Sequence, residues 1–389
     1  MEVPILKIPF DEVDADFICD NLKLMLLGGK LAMGEHSAAF ERQFAEFCGM
    51  PLALGCANGT AALELIFRAL EVEGGSVAIP ANTFMASAMA PIAAGAKIIL
   101  VDCDPVYFQM CPDDLERKIR PDTKAVLLVH IGGIVSPAWE RIRDIAEKNG
   151  AAFIEDAAHA HGAEVTAGRA GSLGRAAAFS FFPTKVLTTA EGGMVTTADK
   201  GLYEAMSAIR QHGQERPGSN IHQRFGLNYR PSEIHALLGL AMMKKADWIL
   251  RRRRETAAVY DELLAGTEIS PVLAPAGQKP AYYKYMALLP ESVDRSALKA
   301  RLKEEFQVSL AGEVYAVSGD NQPLWNNHPE YLAGPLEFLP ISRMVAARQI
   351  CLPLYPDITP EMQDYVVKSL LNVLRACSWE GLVETKILL

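Results

Sequence analysis

Ser180-Phe181-Phe182-Pro183-Thr184-Lys185-Val186-Leu187, followed by Glu191-Gly192-Gly193, sets one lysine just beyond a short apolar run, in a loop of small and hydroxyl residues. The run itself, 177–181, is too short for a helix and reads as a strand. An earlier run, Ala152-Phe153-Ile154-Glu155-Asp156, reads the same way and ends on a carboxylate. Strands are also expected at 77–80, 97–102, 125–130 and 193–197. Helical periodicity lies between them at 61–70, 86–94 and 139–149. Strands that are apolar on both faces and alternate with helices predict an α/β fold, a mostly parallel central sheet sandwiched by helices. Ligands of such sheets bind beyond the C-terminal strand ends. Asp156 and Lys185 are therefore expected at one edge.

The character changes near Pro231. A helical pattern runs from 232 to about 264 and contains Arg251-Arg252-Arg253-Arg254, read as a solvated face. Proline-marked loops, a Tyr282-Tyr283-Lys284-Tyr285 run and a last helix over about 360–375 follow. The expected division is a large α/β domain, 1–245, and a smaller C-terminal α+β domain, 246–389. At 389 residues the chain is long for a single core.

The formal net charge of −9 argues against nucleic acid or an anionic membrane as partner. No apolar run is long enough to span a bilayer. The N-terminal residues lack the layout of a signal peptide. Seven cysteines are scattered, with no CxxC pair, so neither a disulfide framework nor a zinc site is expected. A reducing, cytoplasmic context follows.

A lysine able to form a Schiff base and an aspartate able to pair with a pyridine nitrogen are the two groups that pyridoxal phosphate (PLP) requires of a protein. Lys185 and Asp156 fit these roles. Asp156 is also placed to N-cap a helix, which would bring His159 one turn on, toward the cofactor ring. Ala57-Asn58-Gly59-Thr60-Ala61 reads as a turn entering a helix, where free N–H groups make a phosphate site. Thr60 and Ser180 add hydroxyls there. Phe84, in Pro80-Ala81-Asn82-Thr83-Phe84, follows a strand and is placed to stack on the ring.

These residues carry a resemblance. Asn58-Gly59-Thr60-Ala61-Ala62-Leu63, Glu155-Asp156-Ala157-Ala158, Ser180-Phe181…Lys185, Asn228-Tyr229-Arg230 and Leu352-Pro353-Leu354-Tyr355-Pro356, in this order, resemble the DegT/DnrJ/EryC1/StrS sugar aminotransferases. That family has the fold-type I architecture of PLP-dependent transferases. The resemblance implies Lys185 as internal aldimine and proton shuttle, and Asp156 on the pyridine nitrogen. It implies Gly59, Thr60 and Ser180 on the phosphate and Phe84 over the ring. It also implies a homodimer in which Asn228 reaches the neighbouring subunit's phosphate. Retention of Lys185 separates the chain from the family's dehydratase branch, where histidine replaces it.

The activity so implied is transfer of an amino group from L-glutamate, through pyridoxamine phosphate, to a ketone on a nucleotide-linked deoxysugar, a dTDP- or UDP-4-keto-6-deoxyhexose. Two departures bear on the acceptor. His159 stands where many members have glutamine, which keeps a glutamine-dependent keto-cyclitol or aminohydroxybenzoate-type enzyme as the alternative. Val314-Tyr315…Asp320-Asn321-Gln322-Pro323 departs from a common histidine-bearing segment. A PLP-binding regulator without turnover is the remote alternative. His212, Arg230, Lys284 and Tyr315 are candidate acceptor-site residues, and Arg210 and Arg230 candidate partners for the donor carboxylate or a diphosphate.

Overall fold

The computed structural model describes residues 2–214, 216 and 218–387, with side chains up to residue 376. The chain opens with helices α1 (Glu12–Gly28) and α2 (Glu35–Cys48), then strand β1 (Leu52–Cys56) and α3 (Gly59–Ala69). Strands and helices alternate through β2 (Ser76–Pro80), α4 (Ala86–Ala93), β3 (Lys97–Val101), α5 (Pro112–Lys118), β4 (Thr123–Val129), α6 (Trp139–Lys148) and β5 (Ala152–Asp156). A small hairpin, β6 (Glu164–Val165) and β7 (Gly168–Arg169), precedes β8 (Ala176–Ser180), β9 (Gly193–Thr197) and α7 (Lys200–Arg210).

Seven of these strands form one sheet in the order β1-β9-β8-β5-β4-β2-β3. Only β9 runs against its neighbours, pairing antiparallel with β8 and β1. Consecutive residues of a strand face opposite sides, and both sides here are apolar. Val126, Leu128 and Phe153 pack with α2, α6 and the later helix α8 (Glu233–Lys244) on one face. Ala125, Leu127 and Ile154 pack with α3, α4 and α7 on the other. That is why these strands are apolar throughout rather than alternating.

Beyond β9 the chain forms α8 (Glu233–Lys244) and α9 (Ala246–Leu264), then β10 (Ser270–Pro271), β11 (Tyr285–Leu288) and α10 (Arg295–Phe306). It ends with α11 (Leu324–Asn327), α12 (Pro340–Arg348), β12 (Gln349–Leu352) and α13 (Pro360–Ile387). β10, β11 and β12 make an antiparallel sheet. Tyr260, Tyr285, Leu298, Leu302, Ile350, Val366 and Leu370 form a separate apolar cluster beneath it.

The structure departs from the sequence-based expectations in several places. β1 was not anticipated. The stretch 232–264 is two helices, because Lys245 between them has φ −118° and ψ 9°. Its ammonium leaves the helix path to bind the Pro9 carbonyl and the carboxylates of Asp11 and Asp14. The last helix runs on past 375. The arginine run is not a solvated face. Arg252 donates to the Pro356 carbonyl, Arg253 to those of Tyr282 and Tyr283, and Arg254 to those of Pro280 and Gly162. A guanidinium's several N–H groups suit it to satisfying loop carbonyls that no strand pairs. Arg251 alone of the four keeps an open, solvent-facing side chain, next to Glu255.

Candidate active site

The C-terminal ends of the parallel strands converge on a cavity of about 680 Å³. β5 delivers Asp156, β4 Val129, β8 Ser180, and the turn after β1 delivers Asn58, Gly59 and Thr60 at the start of α3. Phe84 comes from the segment after β2, Lys185 from the loop after β8, and Tyr283, Val314 and Tyr315 from beyond the large sheet. A volume of this order suits a bound small molecule. Lys185 is the only lysine or arginine in this lining; Asp156 and Glu191 supply carboxylates.

Asp156 is buried. Its Oδ2 accepts from Ser87 Oγ at 2.9 Å, and Ser87 lies 2.7 Å from Thr83 Oγ1. Its Oδ1 accepts from the Ala158 amide at 3.1 Å. Burial pushes this carboxyl above its ordinary pKa, and the two hydrogen bonds only partly offset that. A cationic ring N–H in the cavity would supply the missing counter-charge. The residues after Asp156 form a tight turn, with the Ala160 amide on the Ala157 carbonyl, rather than the helix expected from sequence. Asp156 therefore caps a turn, and His159 arrives through that turn.

The Lys185 amine is lowered to about 8, first by burial and further by Lys284, with Asp156 acting in the opposite sense. Its Nζ lies 4.7 Å from the centre of the Tyr283 ring. His159 is buried and stacks on the same ring at 4.1 Å and 23°. Its Nε2 is 3.5 Å from the Tyr315 hydroxyl, and its Nδ1 is buried with no hydrogen-bond partner. Burial, Lys185 and Lys284 together hold this imidazole neutral.

The start of α3 forms one end of the cavity. Asn58 N-caps the helix, its Oδ1 taking the Ala61 amide and its carbonyl the Ala62 amide. The first amides of a helix have no carbonyl within the helix, which leaves those of Gly59 and Thr60 for an anion. Ser180 presses against Gly59 so closely that a Cβ there would lie 2.7 Å from the Ser180 Cβ. Only glycine admits this approach. The buried carboxylate with no cation bonded to it among the described residues, the unpaired His159 nitrogen and this cradle all fit PLP.

Thus the structure brings Lys185, Asp156, Gly59, Thr60, Phe84, His159, Ser180 and Tyr315 to one cavity. Phe84 is 63% exposed at its mouth, with its ring 6.3 Å from that of Tyr315. His212, Arg230, Asn228 and Lys284 are absent from the lining. His212 is exposed with φ 57°, its amide on the Leu227 carbonyl. Asn228 is exposed and bridged to Gln211. Lys284 lies 5.5 Å from the Tyr283 ring centre. Arg210 also lies outside the lining, buried against Glu41 Oε1 at 2.8 Å and the Gly55 carbonyl at 2.6 Å. Asp320 is likewise withdrawn, buried against Ser318, Arg343 and the Leu339 amide. Sequence reading missed Tyr283 and Ser87, which stand far from Lys185 and Asp156 in the chain, and gave no role to Thr184, although it stands beside Lys185 in the opening motif. The run 282–285 was the only signal for Tyr283.

Residues 13–371 match the family model described as the DegT/DnrJ/EryC1/StrS aminotransferase family. The chain belongs to this family. DegT/DnrJ/EryC1/StrS members are PLP-dependent aminotransferases of fold type I, and the mostly parallel sheet flanked by helices is that fold. The chain is 33% identical to the dTDP-3-amino-3,6-dideoxy-alpha-D-galactopyranose transaminase of Aneurinibacillus thermoaerophilus, covering 89% of this chain and 92% of that one. It is 31% identical to a pleiotropic regulatory protein of Geobacillus stearothermophilus, over 96% and 99%. The crystal structure of NtdA from Bacillus subtilis with bound cofactor PMP, pyridoxamine phosphate, superposes with a TM-score of 0.87 at 27% identity, over 96% of this chain and 85% of that one. Among the described residues, no helix is long and apolar enough to cross a membrane, and no cluster fit for a metal is present.

Proposed function

We propose that this protein moves an amino group from L-glutamate to a ketone on a nucleotide-linked deoxysugar, with Lys185 as the covalent attachment point of PLP. A lysine amine in the loop after β8 and a buried carboxylate at the end of the neighbouring β5, facing one cavity, carry this reading. Bound PLP supplies an electron sink for the pair left behind when a substrate C–H proton is removed. The protein's part is then positional and electrostatic. Asp156 holds negative charge where a ring N–H⁺ would sit. The Gly59 and Thr60 amides and the Ser180 hydroxyl bind the phosphate. Phe84 and His159 cover the ring and exclude water. With PLP bound, the neutral Lys185 Nζ would take the α-proton of the donor, carry it as an ammonium and deliver it to the cofactor. Water would release the oxo acid and leave the amino group on the cofactor; the acceptor ketone would then take up that group with loss of water, Lys185 moving the proton in the opposite sense. The relative named as a dTDP-sugar transaminase supports a nucleotide-linked acceptor.

We further read residues 1–245 as the cofactor domain and 246–389 as a smaller domain that closes the cavity through Tyr283 and Tyr315; the start of α9 (Ala246, Ile249, Leu250) joins the apolar cluster of the large sheet, while Ala257, Tyr260 and Leu264 join the smaller one. A homodimer is supported by exposed apolar side chains on α1 (Val13 78%, Leu24 69%, Leu27 79%) and by Phe225 at 97%. An exposed Asn228, off its own cavity, suits a residue that reaches the partner's phosphate.

PLP-loaded protein mixed with L-glutamate or L-glutamine, followed by visible absorption, tests the donor half. Conversion with glutamate, and none in Lys185→Ala, is the expected result. Conversion with glutamine alone moves the reading to a keto-cyclitol acceptor, which His159 favours. Binding of PLP with no conversion by either donor favours a regulator, in line with the Geobacillus relative's name. Transamination by Lys185→Ala at the wild-type rate ends the proposal.

A further inference from the structure

On the reading proposed above, Lys185 would be freed from its covalent role during reaction, and its ammonium would need a place in a cavity whose described lining holds no other lysine or arginine. Its Nζ already stands 4.7 Å from the centre of the Tyr283 ring. An aromatic face attracts a cation at that range, more strongly where water is excluded. Tyr283 is held on two further sides. Its hydroxyl is 3.1 Å from Thr184 Oγ1, on the residue just before Lys185, and His159 stacks on its ring. Arg253 fixes its backbone through the Tyr283 carbonyl at 3.0 Å. A second ammonium, that of Lys284, lies 5.5 Å from the same ring centre.

We propose that the Tyr283 ring is the seat of the free Lys185 ammonium and that Lys284, against the same ring, opposes its charge, so that the pair of residues sets how readily Lys185 gives up its proton. Both are positioning residues, since they act through Lys185. The other groups facing Lys185 are Asp156 at the end of β5, which attracts it, and His159 and His161 on the following turn, both held neutral by burial. Glu191 and Tyr315 line the same cavity. None of these changes between the variants below.

This inference rests on reading Lys185 as the attachment lysine, but its test does not need the cofactor. Full-length protein freed of cofactor is labelled with acetic anhydride across pH 6–11 (chosen as roughly two to three units either side of about 8), and the Lys185 peptide is quantified by mass spectrometry. Tyr283→Phe keeps the ring and should keep the midpoint. Tyr283→Leu should lower it by about half to one pH unit. Lys284→Gln should raise it by about half a unit. Tyr283→Leu with a native circular-dichroism spectrum and an unmoved midpoint overturns the seat. So does Tyr283→Phe shifting as far as Tyr283→Leu, because the hydroxyl would then be responsible. If Tyr283→Leu does not fold, Lys284→Gln decides, and a midpoint that stays or falls overturns the proposal. Failure of the attachment reading shows separately, as wild-type protein that gains no visible band with PLP.

Discussion

Capture of PLP by Lys185 should depend on pH in a way the burial of this amine dictates. An ordinary lysine titrates near 10.5; this one is lowered to about 8 because its charged form loses hydration in the cavity and meets Lys284. Only the neutral amine attacks a carbonyl. At pH 7 an unperturbed lysine is neutral in roughly one molecule in three thousand, whereas an amine titrating at about 8 is neutral in roughly one in eleven. The gain is about 300-fold in reactive amine. Mixing full-length, cofactor-free protein with PLP in a stopped-flow instrument, with Lys185→Ala as the blank, reads the rate as growth of the visible band. The rate should climb about tenfold per pH unit below 8 and level off above it. Stability follows the same titration. The folded amine titrates below the unfolded one, so the unfolded state binds the extra proton between about 8 and 10.5, and the cofactor-free fold should gain stability as pH rises through that window. A capture rate still climbing tenfold per unit at pH 10 would refute the claim that burial tunes this lysine.

Two further substitutions separate binding from scaffolding. Gly59→Ala puts a Cβ 2.7 Å from that of Ser180, so the first turn of α3 must move away from the phosphate. PLP affinity, measured by spectroscopic titration, should fall at least about tenfold, in line with one lost phosphate contact, while affinity for unphosphorylated pyridoxal changes little. Arg210→Met leaves Glu41 without its buried cation and should cost about 3 kcal/mol in denaturant unfolding. The KM for glutamate should be unchanged where the variant is folded; a raised KM would restore Arg210 to the donor site.

Much of this protein was legible in its sequence because two rules are local. A strand buried on both faces must be apolar throughout, so β2 to β5, β8 and β9 announced themselves, and with them the edge where Asp156 and Lys185 emerge. Turn chemistry marked the Asn58-Gly59-Thr60 cradle. The apolar run of β1 is interrupted by Ala53 and Gly55, weak strand formers, and only pairing with β9 makes it a strand. Lys245 breaks a helix with no proline or glycine to signal it, because its reason lies in α1, more than two hundred residues away. The arginine run looked solvated for the same reason: the carbonyls it satisfies belong to other loops.

The sequence by itself determined the α/β class and pointed to PLP chemistry, with Lys185 and Asp156 as the proposed central groups, since each depends on residue type and short spacing. The tertiary structure alone decided what surrounds them. It set Tyr283 and Lys284 beside Lys185, drew Ser87 onto Asp156, and withdrew Arg210 and Asp320 into ion pairs. Such contacts join residues from tens to more than a hundred positions apart, and their energies depend on distance and burial, neither of which exists until the chain has folded.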